Sequence, residues 1–304
     1  MLRRRFALFT VAALAIALLV SLGGGCAERM TADSERRVPR PGDEPTAPAV
    51  PGMTPSSNER EPAAPGAERV AVRIFLVREE TVGAASRMIP KTTLVARAAM
   101  RELLAGPTAQ EQTWGLGTAI PVGTHLNGVT INDGLATVDL SPEFETGGGS
   151  LSMQLRAAQV VFTLTQFGSV DRVAFQIDGE PLLALGGEGL IVDPPTGRAE
   201  YPNVTPLILV EGPTPGDAVS SPVRVWGSSN TFEGTVQLRV IGPAGETLEQ
   251  RHFQSQGGMG IWGPFETTFT YPASISGDGE IVLYEESARD GSEVNVVRFP
   301  VRFE

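Results

Sequence analysis

The stretch VTINDGLATVDL, residues 129–140, decides the fold of the central part of the chain. Apolar and polar residues alternate on both sides of Asp133-Gly134, and this dipeptide between two alternating runs is a strong short-range signal for a β-hairpin. The stretch therefore predicts two antiparallel strands joined by a two-residue turn.

The residues before the hairpin predict one strand and one helix. Apolar positions alternate from Val70 to Leu76, as expected for a strand with one buried face. The spacing of the apolar residues between Val95 and Leu103 then indicates a helix, which Thr92 or Thr93 would cap and Gly106-Pro107 would end.

A second helix and a further strand follow the hairpin. Apolar residues at helical spacing run from Met153 to Phe167, after an opening at Ser150 and before Gly168. A strand is expected from Val173 to Ile177. The order strand-helix-strand-strand-helix-strand predicts an α+β domain, in which helices cover a sheet.

The carboxyl-terminal part, from Pro206 to Glu304, has a different pattern. Short apolar runs recur between Gly, Pro, Asn and Asp turns, and none of them has helical spacing. This pattern predicts an all-β immunoglobulin-like sandwich. The chain has a single cysteine, so an inter-sheet disulfide is excluded, and we expect packing around Trp226 and Trp262 to replace it.

The amino terminus carries a targeting segment. Three arginines at 3–5 precede the uncharged apolar run Phe6–Leu22, and Gly23–Gly25 lead into Cys26. This arrangement resembles the lipobox of bacterial lipoproteins, whose cysteine is acylated, although Gly23 stands where that pattern favours Leu. We expect lipidation of Cys26, with an uncleaved signal anchor as the alternative. Both place the rest of the chain outside the cytoplasm.

The segment after Cys26 has the composition of a disordered chain. Residues 27–68 hold eight prolines and no aromatic side chain, so they bury too little apolar surface to offset the entropy of ordering. The segment is either a tether that spaces the folded part from the membrane or a plain disordered linker. The sequence thus predicts a lipoprotein signal peptide at 1–25, a disordered Pro/Ala-rich tether at 26–68, an α+β domain at 69–201 and a sandwich at 202–304.

The charge of the chain restricts its partners. It has 24 Lys and Arg against 35 Asp and Glu, a formal net charge of -11, and Lys91 is its only lysine. A nucleic-acid partner is therefore not expected. The sandwich is the most acidic part, with 13 acids and six bases in residues 202–304. This balance favours a basic protein face over anionic lipid.

The chain offers little for catalysis. His125 and His252 are its two histidines, and no Gly-x-Ser-x-Gly elbow occurs. The segment Gly258–Gly263 has dinucleotide-type glycine spacing, but it lacks the preceding buried strand and following helix, so we expect a hairpin loop. Asp139 is interpreted as a polar strand-end residue. We expect no catalytic residues, no metal and no cofactor.

Five blocks in the α+β region carry a resemblance to a known family. From Arg69 to about Tyr201 the chain resembles the GerMN domain of bacterial sporulation and spore-germination lipoproteins, through the blocks Leu103–Pro107, Gly115–Thr124, Val138–Ser141, Thr163–Phe167 and Ile177–Gly179. One departure is Ile74, where the family often has Tyr.

The sandwich resembles the Gmad-type immunoglobulin-like domain that is found beside GerMN domains. Four blocks carry this similarity, namely Pro213–Gly216, Ser221–Gly227, Phe232–Gly234 and Gly263–Phe265. Together the two resemblances imply a lipid-anchored binding or scaffold protein of the bacterial cell envelope, in sporulation or spore germination, with palmitate-type acylation at Cys26.

The implied role leaves several partners open. Envelope proteins or self-association are expected, while alternatives are a lipoprotein that binds cell-wall glycan or peptide and an accessory to a membrane sensor. If exposed, Trp226 and Trp262 are candidate glycan-stacking residues. The candidate contact surface is a loop whose residues alternatively serve only to shape it, namely Gly115, Thr118, Pro121, Gly123 and Thr124.

Overall fold

The computed structural model describes residues 68–186 and 189–304. The predicted signal peptide, Cys26 and the tether lie outside the described residues. Within the described ranges, no helix is long and apolar enough to cross a membrane.

The first part of the fold, here called the α+β module, contains three helices and eight strands among the described residues. Its elements are β1 (Arg69–Arg78), β2 (Thr81–Pro90), α1 (Val95–Leu104), α2 (Ala109–Thr113), β3 (Leu126–Asn132), β4 (Gly134–Leu140), α3 (Ser150–Leu164), β5 (Val170–Ile177), β6 (Glu180–Pro181), β7 (Ala184–Leu185) and β8 (Leu190–Ile191). The main sheet has the order β3-β4-β5-β6, while β1 and β2 form a separate antiparallel pair and β7 pairs with β8.

The hairpin predicted at residues 129–140 is confirmed. Strands β3 and β4 are antiparallel, and their turn has Asp133 at φ 48° and Gly134 at φ 81°. A turn with two positive φ angles matches the twist of the flanking strands and favours Asp-Gly. Strand β5 then pairs parallel to β4, with α3 as the crossover between them.

The structure contains elements that the predicted order lacks, namely β2, α2 and the short strands β6, β7 and β8. Strand β2 follows β1 directly, so a second hairpin stands where the sequence predicted a passage from strand to helix. Its turn is formed by Glu79 and Glu80, both at positive φ. Such turns are normally recognised from Gly, Asn or Asp. Because neither residue is of these types, the sequence pattern did not predict the hairpin.

The predicted cap of α1 is also wrong. The helix begins after Leu94, and no side chain caps it; Thr92 instead accepts a hydrogen bond from the Leu94 backbone N–H at 3.1 Å. The predicted end is confirmed, because Gly106 follows the helix with φ 72°.

Strand β1 is buried on both faces, whereas the sequence predicted one. Ile74 and Leu76 face one side, and Phe75 on the other side is equally inaccessible. The Phe75 ring lies 5.4 Å from the ring of Phe162 on α3. The helix therefore covers the face that simple alternation assigned to solvent.

Polar side chains on α3 and in the turn after it take the place of a neighbouring strand at one edge of β1. Gln166 accepts from the backbone N–H of Arg73 at 2.8 Å and donates to its carbonyl, and Thr163 accepts from the N–H of Phe75 at 3.0 Å. Gln159 donates to the Phe75 carbonyl at 3.1 Å. Gln159 and Thr163 share one face of α3 because they are four positions apart, and Gln166 follows two residues after the end of the helix. They satisfy backbone groups that would otherwise be buried without partners.

The second part of the fold is a sandwich of two sheets, here called the sandwich module. Its strands are β9 (Ile208–Gly212), β10 (Ala218–Val219), β11 (Val223–Ser229), β12 (Thr235–Ile241), β13 (Thr247–Gln254), β14 (Gly263–Phe269), β15 (Gly277–Glu286) and β16 (Glu293–Phe303). One sheet has the order β10-β16-β15-β12-β13, and the other has the order β14-β11-β9.

The core of the sandwich contains no tryptophan, so the expected packing around Trp226 and Trp262 is wrong. Phenylalanines such as Phe265 and Phe269 fill it together with aliphatic residues. Trp226 lies on the outer face of β11, because Val223 and Val225 alternate with it and point inward. The buried Tyr271 hydroxyl donates to the Val219 carbonyl at 2.6 Å, and this bond connects the segment after β14 in one sheet with β10 in the other.

Strand β9 belongs to both hydrophobic cores. Ile208 and Val210 lie in the core of the sandwich module, while Leu209 lies in the core of the α+β module. Since successive strand residues point to opposite faces, one strand serves both modules. On the same strand, the buried Glu211 carboxylate accepts a hydrogen bond from Arg198 at 2.6 Å. The two modules therefore share packed side chains.

Candidate functional site

The candidate contact loop lies between α2 and β3, beside the end of α1. An open pocket of about 890 Å³ separates the loop from residues Leu104–Pro107, and Thr118, Pro121 and Gly123 line it. At the tip of the loop Val122 is completely exposed. The pocket thus has an apolar residue standing at its rim.

The predicted contact residues differ in their access to solvent. Gly115, Thr118 and Gly123 are exposed, and Pro121 is half-buried. The prediction for Thr124 is wrong, because this residue is 2% exposed and its hydroxyl donates to the Pro121 carbonyl at 2.8 Å. Thr124 shapes the turn and does not offer a contact.

Two buried side chains of α3 fix the loop from below. The guanidinium of Arg156 donates to the Ala119 carbonyl at 3.2 Å, and Gln159 accepts from the Ala119 N–H at 2.8 Å. Both backbone groups of one loop residue are therefore bound to the same helix. A loop held in this way loses little conformational entropy when it binds a partner.

Arg156 joins the loop to the segment that precedes α3. It also donates to the carbonyls of Phe144 and, at 3.2 Å, Gly147. Burial lowers the pKa of its guanidinium below the usual value. The hydrogen bonds to these carbonyls thus offset the cost of burying the Arg156 charge, and they connect the contact loop with the segment before α3.

Arg156 and Gln159 were not among the residues predicted from the sequence, although the sequence contains a signal for them. Both lie on the helix among apolar positions such as Ala157 and Val160. A buried polar group must be hydrogen-bonded, so polar residues on a predicted buried face indicate that the helix supports something specific. The sequence contains that signal but does not name the bonded partners.

A buried ion pair holds the other wall of the pocket. Arg87 binds the Glu111 carboxylate through both terminal nitrogens, at 2.6 Å for Nη2, and Nη2 also lies 3.4 Å from the Gly106 carbonyl. Burial would raise the pKa of Glu111, but hydrogen bonds from Arg87 and Thr108 outweigh it and hold the pKa below its usual value. The pair stays ionised and fixes α2 against the end of α1.

The two candidate glycan-stacking residues do not lie together. Trp226 is half-buried at the junction of the modules, with the guanidinium of Arg73 4.2 Å from its ring and that of Arg224 at 5.4 Å. Trp262 is half-buried before β14, and its indole N–H donates to the Pro206 carbonyl at 2.9 Å. The structure gives them no shared stacking surface.

The described residues contain no arrangement that indicates catalysis or metal binding. His125 and His252 are exposed and lie in different modules. Within residues 68–186 and 189–304, no group of three or more His, Cys, Asp or Glu could hold a metal ion. Asp139 accepts from the Gly179 N–H at 3.0 Å and so has a structural role in a turn.

The glycine-spaced segment at residues 258–263 is a loop, as expected, but not a hairpin within one sheet. It connects β13 of the five-stranded sheet with β14 of the three-stranded sheet. No helix follows it, so the spacing has no connection with dinucleotide binding.

The comparisons with known families agree with the sequence resemblance. Residues 65–183 match the family model Germane, described as "Sporulation and spore germination". Residues 207–292 match the family model Gmad2, described as "Immunoglobulin-like domain of bacterial spore germination". The chain carries a GerMN domain followed by a Gmad-type immunoglobulin-like domain.

Three solved structures resemble parts of this GerMN–Gmad chain. The first GerMN domain of the sporulation protein GerM from Bacillus subtilis is 29% identical, covers 42% of this chain and 98% of that chain, and has a TM-score of 0.38. The tandem GerMN domains of the same protein are 20% identical, cover 67% of this chain and 62% of that chain, and have a TM-score of 0.39.

The third structure is a Clostridium perfringens protein described as a candidate lipoprotein. It is 19% identical, covers 45% of this chain and 93% of that chain, and has a TM-score of 0.34. All three TM-scores lie below 0.5, so the assignment rests on the family models. No curated protein matches the chain.

The GerMN blocks of the sequence meet around the candidate site. Leu103–Pro107 and Gly115–Thr124 form facing walls of the pocket, and the block Thr163–Phe167 supplies the side chains that bind β1. Two of the five blocks that carry the family resemblance thus form the pocket, and a third binds β1.

Proposed function

We propose that this chain is a binding or scaffold protein of the bacterial cell envelope, lipid-anchored through Cys26 and acting in sporulation or spore germination. Both family descriptions refer to spore germination and so support the process. The apolar run before Cys26 supports an extracytoplasmic location. In this proposal the GerMN–Gmad chain has no catalytic activity and works by holding partners together.

The observation that carries the proposal is the fixed loop of the GerMN module. Arg156 and Gln159 bind Ala119 from below, while Val122 stands fully exposed at the rim of an open pocket. Loops held on a rigid scaffold are common sites of recognition. A pre-formed pocket with an apolar rim suits a protein side chain better than a polar polymer.

Affinity capture with a matched pair of variants tests this role. The bait is residues 69–304, incubated with detergent-solubilised envelope from the host, and bound protein and glycan are analysed from one eluate. The test variant is Val122→Asp, and the control is Leu183→Asp. Leu183 is also largely exposed, and it follows β6, at the opposite edge of the main sheet from β3 and the loop.

We expect specific envelope proteins with the unchanged bait and with Leu183→Asp, and their loss with Val122→Asp. Equal recovery with both variants would show that the loop is not the contact surface. Recovery of wall fragments without protein would favour the glycan-binding alternative instead.

The lipid anchor has a separate test. Replacement of Cys26 by Ala in the full-length chain is expected to block lipid attachment and signal cleavage, so that metabolically labelled fatty acid no longer enters the protein. If the Cys26→Ala variant and the original protein have the same apparent mass, and the original protein also takes up no fatty-acid label, the result would support the uncleaved signal anchor.

A further inference from the structure

One end of the Gmad module exposes large apolar side chains. Met259 is 79% exposed, Ile261 71% and Phe232 51%. Met259 and Ile261 lie in the connection between β13 and β14, while Phe232 lies in the connection between β11 and β12. We call these three residues the apolar tip.

Met259 occupies a backbone conformation that disfavours it. The Gly258 N–H donates to the Ile261 carbonyl at 2.8 Å, and the Ile261 N–H donates to the Gly258 carbonyl at 3.1 Å. Met259 and Gly260 between them therefore form a tight two-residue turn. Both have positive φ, 53° and 97°. Such turns favour Asn-Gly, and a positive φ is uncommon for a long apolar side chain. Methionine at this position therefore lowers the stability of the turn, while its side chain is exposed to solvent.

The two loops of the apolar tip are held against each other. The Gly260 N–H donates to the Asn230 side-chain oxygen at 2.8 Å. A Cβ atom at Gly258 would lie 3.0 Å from the Thr231 carbonyl, so the turn touches the backbone just before Phe232. The tip is a pre-formed surface supported by hydrogen bonds and close packing.

Acidic residues flank the apolar tip on one side. Phe232 borders a shallow pocket of about 250 Å³ together with Glu233, Glu285 and Glu286. Glu285 also accepts from the Phe232 backbone N–H at 2.8 Å, which places its carboxylate beside the tip. The surface thus combines exposed apolar side chains with negative charge.

We propose that Phe232, Met259 and Ile261 insert into an apolar pocket of a partner protein whose rim carries Lys or Arg. This inference rests on the proposed binding role and assigns it a second surface, distinct from the loop of the GerMN module. Stored backbone strain and exposed apolar area together mark an interaction site. The glutamates beside the apolar tip favour a partner with Lys or Arg around its pocket, because opposite charges attract.

The same charges disfavour the other occupants of the tip. Anionic lipid headgroups would be repelled by Glu233, Glu285 and Glu286. A second copy is disfavoured because residues 202–304 carry 13 acids and six bases, so two such modules repel each other.

Thermal stability gives the first readout. Met259→Asn places a residue that tolerates positive φ in the turn, so we expect the melting temperature of the full-length protein to stay the same or rise. A clear fall in melting temperature would show that Met259 packs for stability, and it would overturn the proposal.

Photo-crosslinking gives the second readout, in the full-length protein in its native envelope. p-Benzoylphenylalanine replaces Ile261, and adducts are identified by mass spectrometry. We expect an adduct with one protein, through a peptide in which apolar residues adjoin Lys or Arg. Met259→Asn in the same background should lower the yield about tenfold, while Leu183→Asn, in the GerMN module, should not change it.

The remaining outcomes each overturn the inference. They are adducts with lipid, adducts between copies of the chain, no adduct, or a yield that Met259→Asn does not change. A parallel probe at Val122 separates this inference from the proposed function. Adducts from Val122 without adducts from Ile261 would leave the envelope-binding role standing and remove the apolar tip from it.

Discussion

Replacement of Gln159 by Leu tests whether buried side chains of α3 hold both β1 and the contact loop. The two side chains are similar in size, but leucine has neither the amide N–H that bonds the Phe75 carbonyl nor the oxygen that accepts from Ala119. Gln159 is completely buried. The substitution therefore leaves two backbone groups without their partners.

The expected loss follows from the burial of those groups. Each buried backbone group without a partner costs about 1–3 kcal/mol, so two would cost about 2–6 kcal/mol. Ala119 lies at the half-buried edge of the loop, where water can replace part of its bond, and this places the loss at about 2–4 kcal/mol. For a folded part of this size the melting temperature should fall by about 4–16 °C.

Urea denaturation and hydrogen exchange measure the two consequences. The free energy of unfolding should fall by the stated amount, and the amide of Ala119 should exchange faster in the native state. The control is Gln154→Leu, the same change on the same helix at a half-buried position, with an expected effect within about 0.5 kcal/mol. Equal effects of the two substitutions, or an unchanged exchange rate at Ala119, would refute the reasoning.

Three further predictions concern charged and titratable groups. Arg87→Met leaves the buried Glu111 carboxylate without its cation and should lower the free energy of unfolding by about 3–5 kcal/mol at pH 7. Because the folded pKa of Glu111 lies below its unfolded value, the pair stabilises the fold above the unfolded pKa and loses this effect as pH falls through the folded pKa, so urea titrations should show a smaller difference at low pH. Burial raises the pKa of Tyr201 to about 12 from 10.0, so its contribution is complete below pH 10 and is lost as pH rises through 12. That loss approaches about 2.7 kcal/mol. Ultraviolet titration should show a tyrosine that ionises near pH 12, and this component should be missing in Tyr201→Phe. Glu211→Gln removes the acid between Arg73 and Arg198 and should lower the melting temperature by several degrees, whereas an unchanged calorimetric transition would show that this cluster does not join the modules.

Local signals explain which parts of the fold the sequence predicted. The turn at Asp133-Gly134 and the end of α1 at Gly106 each depend on a residue type that a backbone conformation requires. The turn at Glu79-Glu80 has the same kind of conformation without such residues, and its hairpin was missed. That turn is supported by the pairing of β1 with β2 along their whole length and by a hydrogen bond from the Thr81 hydroxyl to the Arg78 carbonyl at 2.9 Å.

The candidate site was predictable only in its location. The loop between α2 and β3 could be found from its glycines and prolines, but the burial of Thr124 could not. Neither could the bonds from Arg156 and Gln159, because they join residues about 40 positions apart in the chain. Similarly, Trp226 and Trp262 were expected to pack in the core of the sandwich, and the structure places neither of them there.

By itself the sequence determined the class of each module, the turn of the hairpin at residues 129–140 and the acidic charge. These properties depend on composition and on the periods of helices and strands, which are local. Only the tertiary structure decided that β9 serves two cores, that α3 binds the loop, and that Phe232 lies beside the turn of Met259. Such contacts join distant parts of the chain, and they exist only after the packing of the whole fold has brought those parts together.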